Sequence, residues 1–184
     1  GKGLGLTTLV PSRFSADVLA ITHEHPGHNN RAMVGGDPKV IDGPGEYEVK
    51  GVSIQGVSAF HDDARGARLG RVTMYSITID EVVVAHLGDL GHGLSEAQQD
   101  HLGTIDVLLL PVGGGNSLSA TAAAAVANQL EAKFVIPMHY KLPGLKVDLD
   151  DPRHFASEMG IENVEFQPKL SLNSKPSSDE MKVV

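Results

Sequence analysis

The stretch Thr22-His23-Glu24-His25-Pro26-Gly27-His28 limits what this chain can fold into more than any other. It follows Asp17-Val18-Leu19-Ala20-Ile21, an apolar run that reads as a short buried strand. If that strand carries on, His23 and His25 project to one side, because side chains two apart share a face. Pro26-Gly27 suits the two central positions of a tight turn, since proline fixes φ and glycine accepts positive φ. Such a turn brings His28 back beside the first pair. Three imidazoles converging at a strand end suit zinc or a similar transition metal. The competing reading is an exposed loop that is merely rich in histidine. With nine histidines in 184 residues, H-x-H-x-x-H arises from composition in roughly 2% of such chains, so the spacing favours a metal site.

The totals limit what else the chain can be. Its length suits one domain with a substantial core, and the expected organisation is a single domain over residues 1–184. Both ends look cut: the chain begins Gly1-Lys2-Gly3 without Met and ends Met181-Lys182-Val183-Val184, a strand stopping partway. There is no cysteine, which excludes disulfides, thiolate ligands and a cysteine nucleophile. Any metal must therefore be held by histidine and carboxylate. The net charge of −8, with no block of Lys or Arg, argues against attraction to a phosphate backbone. No apolar run reaches membrane-spanning length and no signal peptide is visible, so a cytoplasmic protein without membrane partners is expected.

Residues up to Ser15 read as loop. Residues 29–34 suit a short helical turn ending at Gly35-Gly36, and Lys39-Val40-Ile41 a short strand before the turn Asp42-Gly43-Pro44-Gly45. Residues 46–49 and 52–57 alternate as a hairpin around Lys50-Gly51, and the second strand runs on to His61. Residues 71–79 alternate polar and apolar, the mark of a strand covered on one face. Residues 82–86 form a continuous apolar run suited to burial on both faces. Ser95 and Gln98 match a capping box for a helix that Gly103 can stop. Residues 105–110 and 134–139 read as further core strands around an Ala-rich helix capped by Ser119. Asp151-Pro152 opens a last helix, and residues 164–167 read as a strand. Strands in meander order followed by strand–helix alternation suggest sheets with helices packed outside.

Four strand ends therefore carry His23/His25/His28, His61, Asp89 and His139. Sites in layered folds collect at strand ends, where loops vary over a rigid scaffold. These pieces, with His86-Leu87-Gly88-Asp89-Leu90-Gly91-His92, the run from Asp106 through Pro111 to Gly114, and Ile136-Pro137-Met138-His139-Tyr140, resemble the metallo-β-lactamase superfamily. Within it they resemble the broad group of small metal-dependent hydrolases that includes ascorbate-6-phosphate lactonase-like proteins. The resemblance implies an α/β (α+β) fold, a four-layer αββα sandwich, here without the opening N-terminal hairpin. It also implies a ligand set: His23, His25 and His61 on one metal, His28 and His139 on a second, and Asp89 bridging them. One departure stands out. The family usually has an aspartate where Gly27 stands, and that aspartate ligates the second metal.

The expected activity is metal-dependent hydrolysis, in which metal-activated water attacks an ester, phosphodiester or lactone. Asp89 is the expected catalytic group, and His92 is a candidate to donate a proton or orient a ligand. One or two divalent ions are expected, zinc first and manganese next. The alternative is a non-hydrolytic metal-binding or iron-dependent oxygenase-type member of the same fold, which Gly27 keeps open. A small-molecule substrate is the expected partner, nucleic acid is not, and homo-oligomerisation is left open. His101 and His154 fall on helices and read as surface residues, and Gly113-Gly114-Gly115 lacks the ending of a phosphate loop.

Overall fold

Alternating apolar residues in the middle of the chain build one large sheet, and everything else is arranged against its two faces. A computed structural model describes residues 14–172, 174–176 and 180–184. Its strands are β1 (Phe14–Ser15), β2 (Val18–Ala20), β3 (Val34–Gly35), β4 (Lys39–Ile41), β5 (Gly45–Val49), β6 (Val52–Phe60), β7 (Arg71–Ile79), β8 (Val82–His86), β9 (Val107–Pro111), β10 (Phe134–Met138) and β11 (Lys182–Val183). The helices are α1 (Glu96–Leu102), α2 (Ala120–Leu130) and α3 (Pro152–Glu158), with a 3-10 turn over Arg31–Met33. No helix among the described residues is long and apolar enough to cross a membrane.

Strands β5 to β8 form an antiparallel meander, and β9, β10 and β11 add in parallel, giving the order β11-β10-β9-β8-β7-β6-β5. The two faces of β6 and β7 are divided by period-two alternation. Val57, Ala59, Val72 and Met74 join the main core with Ala85, Leu108, Leu110 and Val135, together with Leu102 of α1, the buried alanines of α2 and Phe155 of α3. Ile54 and Tyr75 face the other way and pack with Ile41, Val18 and Ala20. The helices thus cover one face, and the parallel β2–β4 ladder covers part of the other. Helices, large sheet and small second sheet are the sandwich layers seen among the described residues.

Ser95 caps α1 through a reciprocal capping box with Gln98, Ser119 caps α2, and Asp151 caps α3 with Pro152 at its first turn. These residues start the helices where the sequence signals start them. Other expectations need correction. Residues 82–86 are not buried on both faces: Val82, Val83 and Val84 are half-exposed, because the small sheet lies over β5 to β7 and stops short of β8. Residues 164–167 form no strand. The edge of β10 is taken by Lys182–Val183, pairing at Phe134 and Val135, and Phe166 is left exposed. Phe14 and Ser15, read as loop, pair with Val34 and Gly35. Residues 1–13, on which the expectation about an N-terminal hairpin bears, lie outside the described residues.

Candidate metal centre

The first motif owes its position to the strand before it. Strand β2 ends at Ala20, and the chain is then tied down on the large sheet. The Ile21 N–H donates to the Ile41 carbonyl (2.8 Å), the Thr73 N–H to the Thr22 carbonyl (2.8 Å), and the Tyr75 hydroxyl to the Ile21 carbonyl (3.0 Å). Burial pushes the Tyr75 phenol up to about 12, so it stays a donor. With Thr22 fixed, His23 is buried and His25 stays half-buried. The His28 N–H then donates to the His25 carbonyl (2.8 Å), closing a turn with Pro26-Gly27 at its centre.

The remaining candidates arrive from three other strand ends: His61 after β6, Asp89 after β8 and His139 after β10. Four imidazole Nε2 atoms converge on one oxygen, Asp89 Oδ2, from His28 (3.4 Å), His139 (3.5 Å), His23 (3.6 Å) and His61 (3.6 Å). These distances exceed those of good hydrogen bonds. They match instead the edge of a tetrahedron around zinc, about 3.3–3.4 Å for Zn–N bonds of about 2.0–2.1 Å. The ligand atoms of His23, His25 and His61 lie within 4.8 Å of one another, as do those of His23, His28 and Asp89. His139 joins through Asp89, so the donors on the His28 side form the looser set. His23 Nε2 is buried without a hydrogen-bond partner. A buried polar nitrogen without a partner is costly, and a cation among these donors would satisfy it. The donor set fits a divalent metal.

The far ring nitrogens are held from behind. His61 Nδ1 donates to the Asn116 carbonyl (2.9 Å), His139 Nδ1 lies 3.2 Å from the Ser117 hydroxyl, and His23 Nδ1 lies 2.9 Å from the Thr22 hydroxyl. The Ser117 hydroxyl also donates to the Gly114 carbonyl (3.1 Å), which leaves its lone pair to accept from His139. Such partners fix the tautomer and aim the other nitrogen inward. Electrostatics favour the same state. Burial lowers His23 to about 4, against the pull of Asp89 and with help from the neighbouring imidazoles, and burial likewise lowers His28. Both rings are neutral near pH 7 and can offer lone pairs to a metal.

Two glycines allow this crowding. A Cβ on Gly113 would sit 2.2 Å from the His139 carbonyl oxygen, and one on Gly91 would sit 2.5 Å from the His61 carbonyl. His139 itself adopts φ 52°, a left-handed conformation costly for a side chain with a Cβ. The surrounding contacts hold it there.

Other sequence candidates fall elsewhere. His92 does not face the cluster as a free acid or ligand: its Nε2 accepts from the Phe60 N–H (3.1 Å) and its Nδ1 donates to the Gly93 carbonyl (2.6 Å). Both nitrogens are committed to backbone, so the ring anchors the end of β6. Asp62 and Asp63 do not replace the missing turn carboxylate. Asp62 accepts four backbone N–H bonds, from Ala64, Gly66, Arg68 and Leu69, and Asp63 pairs with Arg68. Burial alone would raise the Asp62 carboxyl, but those four donors hold it below its ordinary value. His86 accepts from the Gly88 N–H (3.0 Å) and is kept neutral by burial, next to the cluster rather than in it. His101 bonds back to the Ala97 carbonyl in α1, and His154 lies near Asp150. Sequence reasoning missed Thr22, Asn116 and Ser117 as supports, and the apolar loop after His139. Adjacency to His23 was a signal for Thr22 alone; Asn116 and Ser117 lie 55 and 22 residues from the rings they support, and local sequence carries no signal for them.

The chain and its fold have clear relatives. Residues 5–139 match the model of the Beta-lactamase superfamily domain. A UPF0173 metal-dependent hydrolase of Thermococcus onnurineus is 29% identical over 82% of this chain and 77% of its own length. One from Pyrococcus furiosus is 32% identical over 86% of this chain and 71% of its own. Among solved structures, a proposed Zn-dependent hydrolase of the metallo-β-lactamase superfamily from Thermotoga maritima is 36% identical, with a TM-score of 0.76 over 95% of this chain and 82% of that one. With the family model covering most of the sequence and these relatives spanning the site, the chain belongs to the metallo-β-lactamase superfamily.

Proposed function

We propose that the protein is a metal-dependent hydrolase that cleaves an ester, phosphodiester or lactone bond in a small molecule. The observation that carries this reading is the convergence of four imidazole Nε2 atoms on Asp89 Oδ2, one of them the His23 Nε2 that is buried without a hydrogen-bond partner. Kinship with proteins described as metal-dependent hydrolases supports it. His23, His25 and His61 would hold one divalent ion, and His28 and His139 a second, with Asp89 shared. An imidazole-rich set suits zinc, with manganese next. A divalent ion in such a site supplies Lewis acidity toward water and toward the substrate oxygen.

The chain's own groups supply the rest. The Asn116 carbonyl and the Thr22 and Ser117 hydroxyls keep the imidazoles aimed inward. Asp89, buried among the imidazoles, is the one carboxylate of the centre and would orient the attacking water. For an ester the water oxygen bonds to the acyl carbon and the carbon–oxygen bond to the leaving alcohol breaks. The water protons finish on the acid and the alcohol, and no oxidant or reductant enters.

Purified protein loaded separately with zinc and manganese, and assayed on esters, lactones and phosphodiesters, tests the reading. Hydrolysis that needs added metal and falls on the order of 10²-fold or more in Asp89→Ala is expected. Full activity in that variant, or oxygen consumption without hydrolysis, would contradict it.

A further inference from the structure

The hydrolase reading leaves the substrate class open, and the walls around the centre narrow it. A cavity of about 400 Å³ opens against His28 and His139 and is lined by Gly27, Met138, Leu142, Leu145, Val147 and Leu149, among others. No Lys or Arg lines it among the described residues. Most of its outer wall is the loop that follows His139, and that loop is fixed in place. The Lys141 N–H donates to the Asp150 carbonyl (2.9 Å), the Asp150 N–H to the Gly113 carbonyl (2.8 Å), and the Leu145 N–H to the Leu142 carbonyl (3.1 Å). Leu149 is buried beneath it.

Leu142 and Val147 are nevertheless 42% and 38% exposed, two of the large apolar side chains left most open to water on the described surface. Holding apolar side chains in water beside a buried polar centre gains nothing for folding, and it fits an apolar ligand group. Gly27 contributes to the same wall. A carboxylate at that position would place charge in the cavity, and its absence keeps the wall apolar. A second basin of about 220 Å³, lined by Asp62, Asp63, Arg68, Asn116 and Ser117 among others, lies on the side from which Asn116 and Ser117 hold the rings, away from the inward-facing nitrogens.

We infer that the substrate is a carboxylic ester with an apolar acyl chain seated against Gly27, Leu142, Leu145 and Val147 and a polar leaving alcohol directed away from that wall. This rests on the hydrolase reading and selects within it: a phosphodiester would find no cationic side chain in the larger wall to meet its charge.

Glycerol monoesters of acetate, butyrate, hexanoate and octanoate, assayed with the zinc-loaded protein, test it. A fully buried methylene raises kcat/KM roughly three- to fourfold, and at least a twofold rise per methylene is expected up to hexanoate. Leu145→Asp and Val147→Asp should flatten that dependence, whereas Ile79→Ser, at an exposed site on β7 outside the cavity, should keep it. A flat profile, a steeper dependence with alkyl acetates of equal length, or faster cleavage of bis(4-nitrophenyl) phosphate would overturn the inference and leave the hydrolase reading standing. Absence of turnover on every substrate with zinc and with manganese would instead count against that reading. The cavity is then judged by binding: octanoate but not acetate should raise the unfolding temperature of the wild type and not of Leu145→Asp. Equal shifts in both proteins, or none, would overturn it.

Discussion

At the residue scale the decisive position is Gly27. In the proposed assignment the first donor set keeps three imidazoles and Asp89, while the set on the His28 side has two imidazoles, a shared carboxylate and no carboxylate from its turn. Asp62 and Asp63 are both committed elsewhere and do not make up the loss. Uneven occupancy is the expected outcome: one tightly held ion and a second that is weak or needs excess metal. Calorimetric titration of metal-free protein checks this, with Gly27→Asp raising the second affinity. Two equally tight ions in the unmodified chain would contradict it. Thr22 offers a complementary test. Its hydroxyl sits behind His23, so Thr22→Val should weaken metal binding by roughly 10- to 100-fold while leaving the fold intact.

At the element scale the site depends on loops packed backbone to backbone. A Cβ on Gly113 would overlap the His139 carbonyl, so Gly113→Ala must displace that strained residue, a proposed metal ligand. A loss of about 2–4 kcal/mol in stability, with loss of metal binding, is expected from chemical denaturation. Gly43→Ala, with nothing within 4 Å of the added carbon, should be close to neutral.

The same scale explains what could be read in advance. Strand ends carrying His23, His25, His61, Asp89 and His139 were legible because short apolar runs and turn residues punctuate the chain clearly. Capping residues marked all three helices. The failures share a cause in packing. Residues 164–167 have strand-like composition, but β11 holds the edge they would need. The run 82–86 looks fully buried, but the small sheet does not reach it. His92 carries the right side chain three residues past Asp89, yet hydrogen bonds to Phe60 and Gly93 turn it into an anchor. Local sequence cannot show which backbone group will meet a ring nitrogen.

At the scale of the whole molecule, the buried imidazoles tie stability to pH. The folded protein holds His23 near 4, whereas in the unfolded chain it titrates near 6.5. Between these values the unfolded state binds more protons, so stability falls as pH drops from about 6.5 toward 4. His28 acts in the same direction. Metal-free protein should therefore lose unfolding temperature steadily across that window. Bound metal should offset the loss until the ligands protonate and release it. A flat profile from pH 7 to 4 in the metal-free protein would show that these rings are not buried as described.

Four strand ends bring five histidines and one aspartate to a single cluster. Anomalous diffraction from a zinc-soaked crystal tests that most directly. The expected result is a strong peak among His23, His25, His61 and Asp89, with donor atoms about 2.0–2.2 Å away, and a weaker one or none between His28 and His139. Zinc bound elsewhere, or His61 or His139 turned away from the first motif, would contradict it.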